Sequence, residues 1–461
     1  MNAAVAGGHP ATVEAGVEIL AEGGNAADAA VAAGLASCVA ETVMTGLLGG
    51  GHAIFYDAAS GVAHNLDCFV AVPGLGAEPR EPELLELEVP FGAELVHYAV
   101  GPASCAVPGV PSGLDALWQR YGTMPWPRLV EPALRLARED VEMPPAHASC
   151  LEMLAPVMTM NEGARIYSPG GQLLRTGDLL RQPGLANALE LVVQEGAASV
   201  YRGSIAKSLL ELSATRGGLL TREDLERYEA RWSEPVEVAY CDVRFLSRAG
   251  LSGVPPTLGR LPRLRGRSDA GRILALLQAL AEDGAEGHTT NLVAVDQAGN
   301  GCVLTTSLGL GSGDFLPGLD LHLNSMLGET DLLRGSLEPG TRMESMMAPS
   351  VAVDREGRLA LAIGAAGGTR LRTALVAVAA GILDEGLEPQ EAVDRPRFHP
   401  VERLLNAEPG VPEEALGELE RLGWTIRVWP ARHHYFGGVS VVTRSGAAGD
   451  PRRSGAATVL A

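Results

Sequence analysis

Aromatic side chains make up only 4% of the 461 residues, so any interior has to be assembled from alanine, valine and leucine. An apolar content of 46% beside 20% charged residues excludes a disordered chain. Cysteine is scarce: Cys38, Cys68, Cys105, Cys150, Cys241 and Cys302 are scattered without CxxC spacing. That excludes a disulfide framework and a zinc site, and buried free thiols are expected instead. No apolar run reaches membrane-spanning length; the one around Ala29–Ala40 starts beside Asp28 and reads as a core helix. Met1-Asn2-Ala3-Ala4-Val5 shows neither the basic nor the apolar segment of a leader, so a cytoplasmic location is expected. Positive charge is in deficit, and a formal net charge of −20 argues against nucleic acid and anionic membranes as partners. No acidic block, internal repeat or low-complexity segment stands out, and the length suits two to three units.

What is present is concentrated around Gly287-His288-Thr289-Thr290-Asn291-Leu292-Val293-Ala294-Val295-Asp296, followed by the turn residues Gln297-Ala298-Gly299-Asn300-Gly301. A hydroxyl pair heads an alternating β-run deep inside the chain. Cutting the bond between His288 and Thr289 would make Thr289 a new N-terminus at the head of a core strand. A terminal threonine carries a nucleophilic hydroxyl and, in its own α-amine with a pKa of about 7.7–8, a base active near neutral pH. That combination defines the N-terminal-nucleophile hydrolases. Thr-Thr before Val/Leu alternation is also ordinary strand composition, so the surrounding pattern has to carry the assignment.

Val13, Val17 and Leu20 recur at helical spacing and stop at Gly23-Gly24; Asn25 then caps an Ala-rich helix over 26–41 with Asp28 in its first turn. The glycines of Gly46-Leu47-Leu48-Gly49-Gly50-Gly51 lie between that helix and a strand around His52–Tyr56. A phosphate-cradling loop follows a strand and opens a helix, so close backbone packing is the better reading here. Residues 100–240 read as mostly helical. Residues 245–285, rich in Gly and Pro and bearing Arg260, Arg263, Arg265 and Arg267, read as an exposed connector. After Thr289 the texture becomes β: strands over 289–296 and 301–307, a hairpin over 350–354 and 358–363, then a helix from Thr369 to Asp384 and strands near 424–429 and 436–443. Strand pairs with helices on their faces predict an α+β protein, a layered αββα sandwich. His433 and His434, adjacent in an extended segment, would point to opposite sides and could not share a metal. Neither metal nor cofactor is expected.

In this order the chain resembles the γ-glutamyltranspeptidase family over nearly its whole length. The matching pieces are His9-Pro10, Gly23-Gly24-Asn25-Ala26-Ala27-Asp28, Gly49-Gly50-Gly51-His52-Ala53, Val107-Pro108-Gly109-Val110-Pro111 and Tyr121-Gly122-Thr123-Met124-Pro125. They continue with Gly217-Gly218-Leu219-Leu220-Thr221, the Thr-Thr strand, Met347-Ala348-Pro349, Gly367-Gly368-Thr369-Arg370 and Asp394-Arg395-Pro396-Arg397-Phe398-His399. The resemblance implies the four-layer sandwich of N-terminal-nucleophile hydrolases and a precursor that cuts itself at His288/Thr289. A large subunit, 1–288, with the helical region and part of the sandwich, would stay associated with a small subunit, 289–461. Thr289 would be the nucleophile, the backbone amides of Gly367 and Gly368 the oxyanion hole, and Thr290, Thr305 and Ser307 hydroxyls that orient it. The substrate would be a small amide of the γ-glutamyl type.

Substrate recognition departs from the family. Its members hold the substrate carboxylate with an arginine and two adjacent serines, and the amine with an asparagine, a glutamine and an aspartate. Here the arginine falls on Phe69, the serines on Ser345-Met346, and the glutamine and aspartate on Met326 and Glu329, with Asn324 nearby in the same segment. The loop Ser307-Leu308-Gly309-Leu310-Gly311-Ser312-Gly313 is short and offers leucines. Removing one partner of a buried ion pair costs about 3–5 kcal/mol, roughly two to three orders of magnitude in affinity. Arg342 is the candidate replacement for the missing arginine, and Glu329 retains one negative charge. Ordinary glutathione turnover is not expected. A divergent branch of the family works in pathways to alkylproline-containing antibiotics, where the same nucleophile cleaves a carbon–carbon bond beside a carbonyl; that chemistry is the alternative. A scaffold that kept the fold without the chemistry is the third reading, opposed by Thr289, Gly367 and Gly368.

Overall fold

The computed structural model describes residues 2–78, 80–91, 94–280, 289–335, 337–368 and 370–460. Helix α1 (Pro10–Ala21) and helix α2 (Ala26–Ala40) open the chain. The Asn25 side chain accepts the backbone N–H groups of Ala27 and Asp28 while Asp28 accepts the N–H of Asn25, a reciprocal box that satisfies the first orphan donors of α2. The fully buried Asp28 carboxylate also takes the N–H and hydroxyl of Thr123 and the N–H of Met124, so the helix cap doubles as a tertiary tie. Every residue of α2 is buried, and its alanines let α1 pack closely on one side and a β-sheet on the other.

The strands that form the two main sheets are β1 (Ala4–Gly7), β2 (Gly50–Asp57), β3 (Val62–Cys68), β4 (Arg231–Ser233), β5 (Val236–Tyr240), β6 (Val243–Ser247) and β7 (Thr290–Val295). They continue with β8 (Gly301–Ser307), β9 (Ser350–Val353), β10 (Leu359–Ala366), β11 (Gly438–Thr443), β12 (Ala447–Gly449) and β13 (Ala456–Val459). One sheet runs β13-β1-β7-β8-β2-β3-β4 and the other β12-β11-β10-β9-β6-β5, antiparallel throughout. Both sheets therefore combine strands from before and after His288: β7 and β8 lie between β1 and β2 in the first, and β9 pairs with β6 in the second.

Alternation along β7 explains the layers. Leu292 and Ala294 face α2 in an outer core, whereas Val293 and Val295 meet Val303, Val351, Val353 and Ala362 between the sheets. The outer face of the second sheet is covered by helices α3 (Val254–Arg260), α4 (Asp269–Leu280) and α5 (Arg370–Ala380), which pack on Leu361, Ile363, Val439 and Val441. The result is the expected αββα sandwich. The turn after β7 is tied to the first helical layer, because Asp296 accepts the N–H of Ala26 as well as the N–H and side-chain amide of Asn300.

Three expectations need correction. The supposed exposed connector is a packed layer: Val254, Leu258, Leu261 and Leu264 are buried. Its arginines have local duties, since Arg263 pairs with buried Asp384, Arg265 donates to the Asp384 carbonyl and Arg260 to that of Ala279. The glycines and prolines there shape a turn-helix segment that hydrophobic burial, not composition, decides. Residues 231–240, taken as the end of a helical region, supply strands β4 and β5, and β6 runs into the supposed connector. The strand Thr425–Val428 belongs to a separate three-stranded sheet with Phe398–Val401 and Leu404–Ala407.

Replacing Asp28 by alanine removes the charged acceptor of part-buried donors on Asn25, Thr123 and Met124, each such bond being worth about 1.5–3 kcal/mol. A loss of more than about 3 kcal/mol of stability is expected on this reasoning, measured by urea unfolding; a change within experimental scatter would refute the tie.

Candidate active site

Thr289 sits at the entry to β7, nearly buried, and its Oγ1 accepts the backbone N–H of Gly367 at 3.0 Å. Gly367 and Gly368 end β10 and lead towards α5, with φ of +123° and +62°. A Cβ on Gly367 would lie 2.7 Å from the Cα of Gly437, so the turn requires glycine for both its torsion and its close approach. The Gly367 N–H is thus directed at the Thr289 hydroxyl oxygen, with a second glycine following it on the way to α5.

The neighbouring strand supplies the next group. Thr290 pairs with Thr306 across β7 and β8, which makes Thr289 and Ser307 the following cross-strand neighbours. Ser307 lines the same cleft as Thr289, and its Oγ accepts the N–H of Gly309 at 3.0 Å. Thr305 lies one pair further back, opposite Asn291, fully buried between the sheets and away from the cleft lining. Thr290, on the other face of β7, donates its hydroxyl to the Glu41 carboxylate. Asn291 is a site-shaping residue that sequence reasoning missed: its side chain takes the N–H of Ser440 and donates to the carbonyl of Gly438, locking β7 against β11 beside Thr289. An asparagine at an inward position of a β-run was the available signal.

The cleft beside Thr289 is narrow, with a free volume of about 20 Å³. Phe69, Met326, Met346, Met347, Leu332 and Leu371 give it an apolar wall; Ser307, Glu329, Ser345 and Gly368 give it a polar one. Phe69 stacks on buried His52 with ring centroids 5.5 Å apart. Burial holds the His52 imidazole well below its usual pKa, with the Arg248 and Arg342 charges adding to the effect. Glu329 is 2% exposed and seated against Gly309, where any Cβ would come within 2.5 Å of its Oε1. Ser345 Oγ accepts the N–H of Met347, while Arg248, not foreseen from sequence, donates to the carbonyls of Ser345 and Met347 and so fixes that wall.

Two expected substrate contacts are engaged elsewhere. Arg342 donates to the carbonyls of Phe69 and Glu229 and lies over the Tyr228 ring, behind the Phe69 backbone and outside the cleft lining. It cannot stand in for the missing arginine without giving up those contacts. Asn324 is fully buried with its amide donating to the Leu48 and Ala106 carbonyls and accepting from Ala106 and Met326, so it clamps the chain behind the site. Leu310 packs in a separate core with Met44 and Tyr98. The expectation that His433 and His434 face apart is also wrong: they flank the short turn His434–Phe436, and their rings lie 4.0 Å apart. Among the described residues no three His, Cys, Asp or Glu side chains gather to hold a metal ion, and no helix is long and apolar enough to cross a membrane. His288 lies outside the described residues.

The four-layer sandwich, with its strand-head threonine beside a two-glycine turn, has the architecture of the N-terminal-nucleophile hydrolases. Within that class the chain belongs to the γ-glutamyltranspeptidase family, whose model matches residues 12–258 and 268–460. It is 28% identical to the acylase ACY 1 proenzyme of Pseudomonas sp. (strain V22), over 91% of this chain and 86% of that one. It is 25% identical to the glutathione hydrolase proenzyme of Bacillus subtilis (strain 168), over 98% of this chain and 90% of the relative. The fold matches the crystal structure of cephalosporin acylase from Bacillus halodurans with a TM-score of 0.85 at 22% identity, covering 100% and 96% of the two chains.

Gly367→Ala keeps the N–H but must displace it, because the turn admits no Cβ there, and is expected to lower carbonyl turnover by about 10²–10³-fold. Undiminished kcat in the folded variant would remove Gly367 from the site.

Proposed function

We propose that the chain is a self-processing hydrolase or acyltransferase in which Thr289, freed by cleavage after His288, attacks the carbonyl of a small amide. The observation that carries this reading is the Gly367 N–H directed at Thr289 Oγ1 at the head of β7. In turnover the α-amine takes the hydroxyl proton as Oγ1 adds to the carbonyl, and the Gly367 and Gly368 amides hold the resulting oxyanion. The proton then passes to the leaving amine as the carbon–nitrogen bond breaks. Water or an acceptor amine releases the acyl group by the same steps in reverse. The "proenzyme" in the names of both relatives supports a precursor cut into subunits 1–288 and 289–461. Pairing of strands from both segments within each sheet would keep them together.

The acyl arm faces Phe69, Met326 and Met346, and Glu329 offers one negative charge suited to a substrate ammonium. No arginine lines the cleft among the described residues, so an α-carboxylate would be buried there without a partner. The acylase relative accords with an apolar arm. The same lining favours a second reading, attack on a ketone with carbon–carbon cleavage in antibiotic biosynthesis, the departing electron pair being delocalised onto an adjacent carbonyl.

Intact mass of the denatured protein is expected to show two polypeptides, the smaller beginning at Thr289, and a single uncut chain for Thr289→Ala. A wild-type chain that remains whole would defeat the proposal. The substrate class is read from two anilides that differ by one carboxylate. 4-Aminobutanoyl p-nitroanilide should be cleaved at least tenfold faster than γ-glutamyl p-nitroanilide, because an unpaired buried charge costs about 3–5 kcal/mol. The reverse order would contradict the apolar-arm assignment, and a matured protein inert to both anilides but active on a β-diketone would establish the carbon–carbon reading.

A further inference from the structure

Thr289 borders a second cavity, on the side of β7 away from the acyl cleft. Its walls include Gly7, Gly8, Glu41, His147, Thr290 and Arg453. Glu41, at the C-terminal end of α2, is 1% exposed and accepts hydroxyl hydrogens from Thr12, at 2.7 Å, and from Thr290, the residue next to the nucleophile. The site is built tightly: a Cβ on Gly8 would lie 2.3 Å from Glu41 Oε2 and 2.8 Å from Thr290 Oγ1. Arg453 is 5% exposed, donates to the Met44 sulfur, and has no carboxylate within ion-pair distance among the described residues. A buried carboxyl and a buried guanidinium thus share one cavity with Thr289 without pairing with each other.

Charge in that cavity is confined to a few groups. Burial lowers the pKa of His9, the cap of α1, to about 4 and that of His147, on the helix Pro145–Met158, to about 3, so both are neutral at neutral pH. Asp450 is paired with Arg397 and Arg452. Burial raises the thiols of Cys38 and Cys150 to about 12 and about 11, leaving them uncharged. Glu41 remains: burial raises its pKa to about 7, against the lowering effects of the Thr290 and Thr12 hydroxyls and the Arg453 charge. With both hydroxyls donating, its two oxygens are placed to act as carboxylate acceptors.

We propose that Glu41, acting through Thr290, is a positioning residue that fixes the α-amine of Thr289 and, against the opposing charge of Arg453, sets that amine's proton affinity. The inference rests on Thr289 being a freed N-terminus. A carboxylate near the amine favours its ammonium form and a guanidinium disfavours it. The unpaired arrangement lets both act on the atom that must release and accept a proton in each cycle.

The small-subunit segment 289–461 contains no lysine, the chain's only one being Lys207, so the Thr289 amine can be followed alone. Reductive methylation of matured protein by formaldehyde and cyanoborohydride is measured against pH from the mass of the small subunit. Glu41→Gln should move the inflexion to lower pH by about half a unit or more, with Thr290→Ser keeping the wild-type profile. If Glu41→Gln fails to fold or mature, Thr290→Val carries the test. Loss of the hydroxyl raises the Glu41 pKa, weakens its negative charge and should shift the inflexion the same way. An unchanged inflexion in the variant that matures overturns the inference while leaving the Thr289 assignment intact; an uncut wild type overturns the Thr289 assignment itself.

Discussion

Strand β7 is hydrogen-bonded on both sides, to β1 and to β8, and this double pairing is the constraint on which the rest of the structure depends. It fixes the register that puts Thr289 level with Ser307 and sends Thr290 to the opposite face. A slip of one residue would exchange the two hydroxyls and turn every apolar side chain of β7 to the wrong layer. Asn291 adds a polar rivet to the second sheet, and Asp296 ties the far end to the N-terminus of α2. The position of Thr289 is thus determined at both ends of a buried strand.

The surroundings of Thr289 divide by chemistry. On one side, methionines and Phe69 form an adaptable apolar wall with a single buried carboxylate, Glu329. On the other, Glu41 and Arg453 line a second cavity. The end of β10 and the turn that follows it touch both, Gly368 lining the first and Ala366 the second. The apolar wall and the charged groups therefore lie on different sides of Thr289, and a change to the methionine wall need not disturb the charged side.

Arg342 shows how similar residues become different sites. In sequence it was the available cation near a substrate pocket whose arginine position held Phe69. In space its guanidinium is on the reverse side of the Phe69 backbone, held by two carbonyls and the Tyr228 ring. Arg248, unremarked in sequence because it lies in a glycine-rich stretch, braces the Ser345–Met347 wall instead. A guanidinium can span several ångströms, so the backbone path that carries it decides which carbonyls it meets.

Much of the architecture was legible from residue order alone. The capping box at Asn25, the alternation through 290–295 and the paired glycines at 367–368 are local signals, set by hydrogen bonds and side-chain periods spanning a few residues. Those same signals identified the αββα layers and the strand-head threonine. The sequence could not determine that Gly253–Leu280 packs as a helical layer, that Asn324 faces backbone carbonyls, or that Glu41 meets Thr290 across 249 positions. Such contacts depend on how separate elements are brought together. Burial, which raises the Glu41 carboxyl, lowers the pKa of His9 and His147 and leaves Arg453 without a carboxylate at ion-pair distance among the described residues, exists only once the layers have closed.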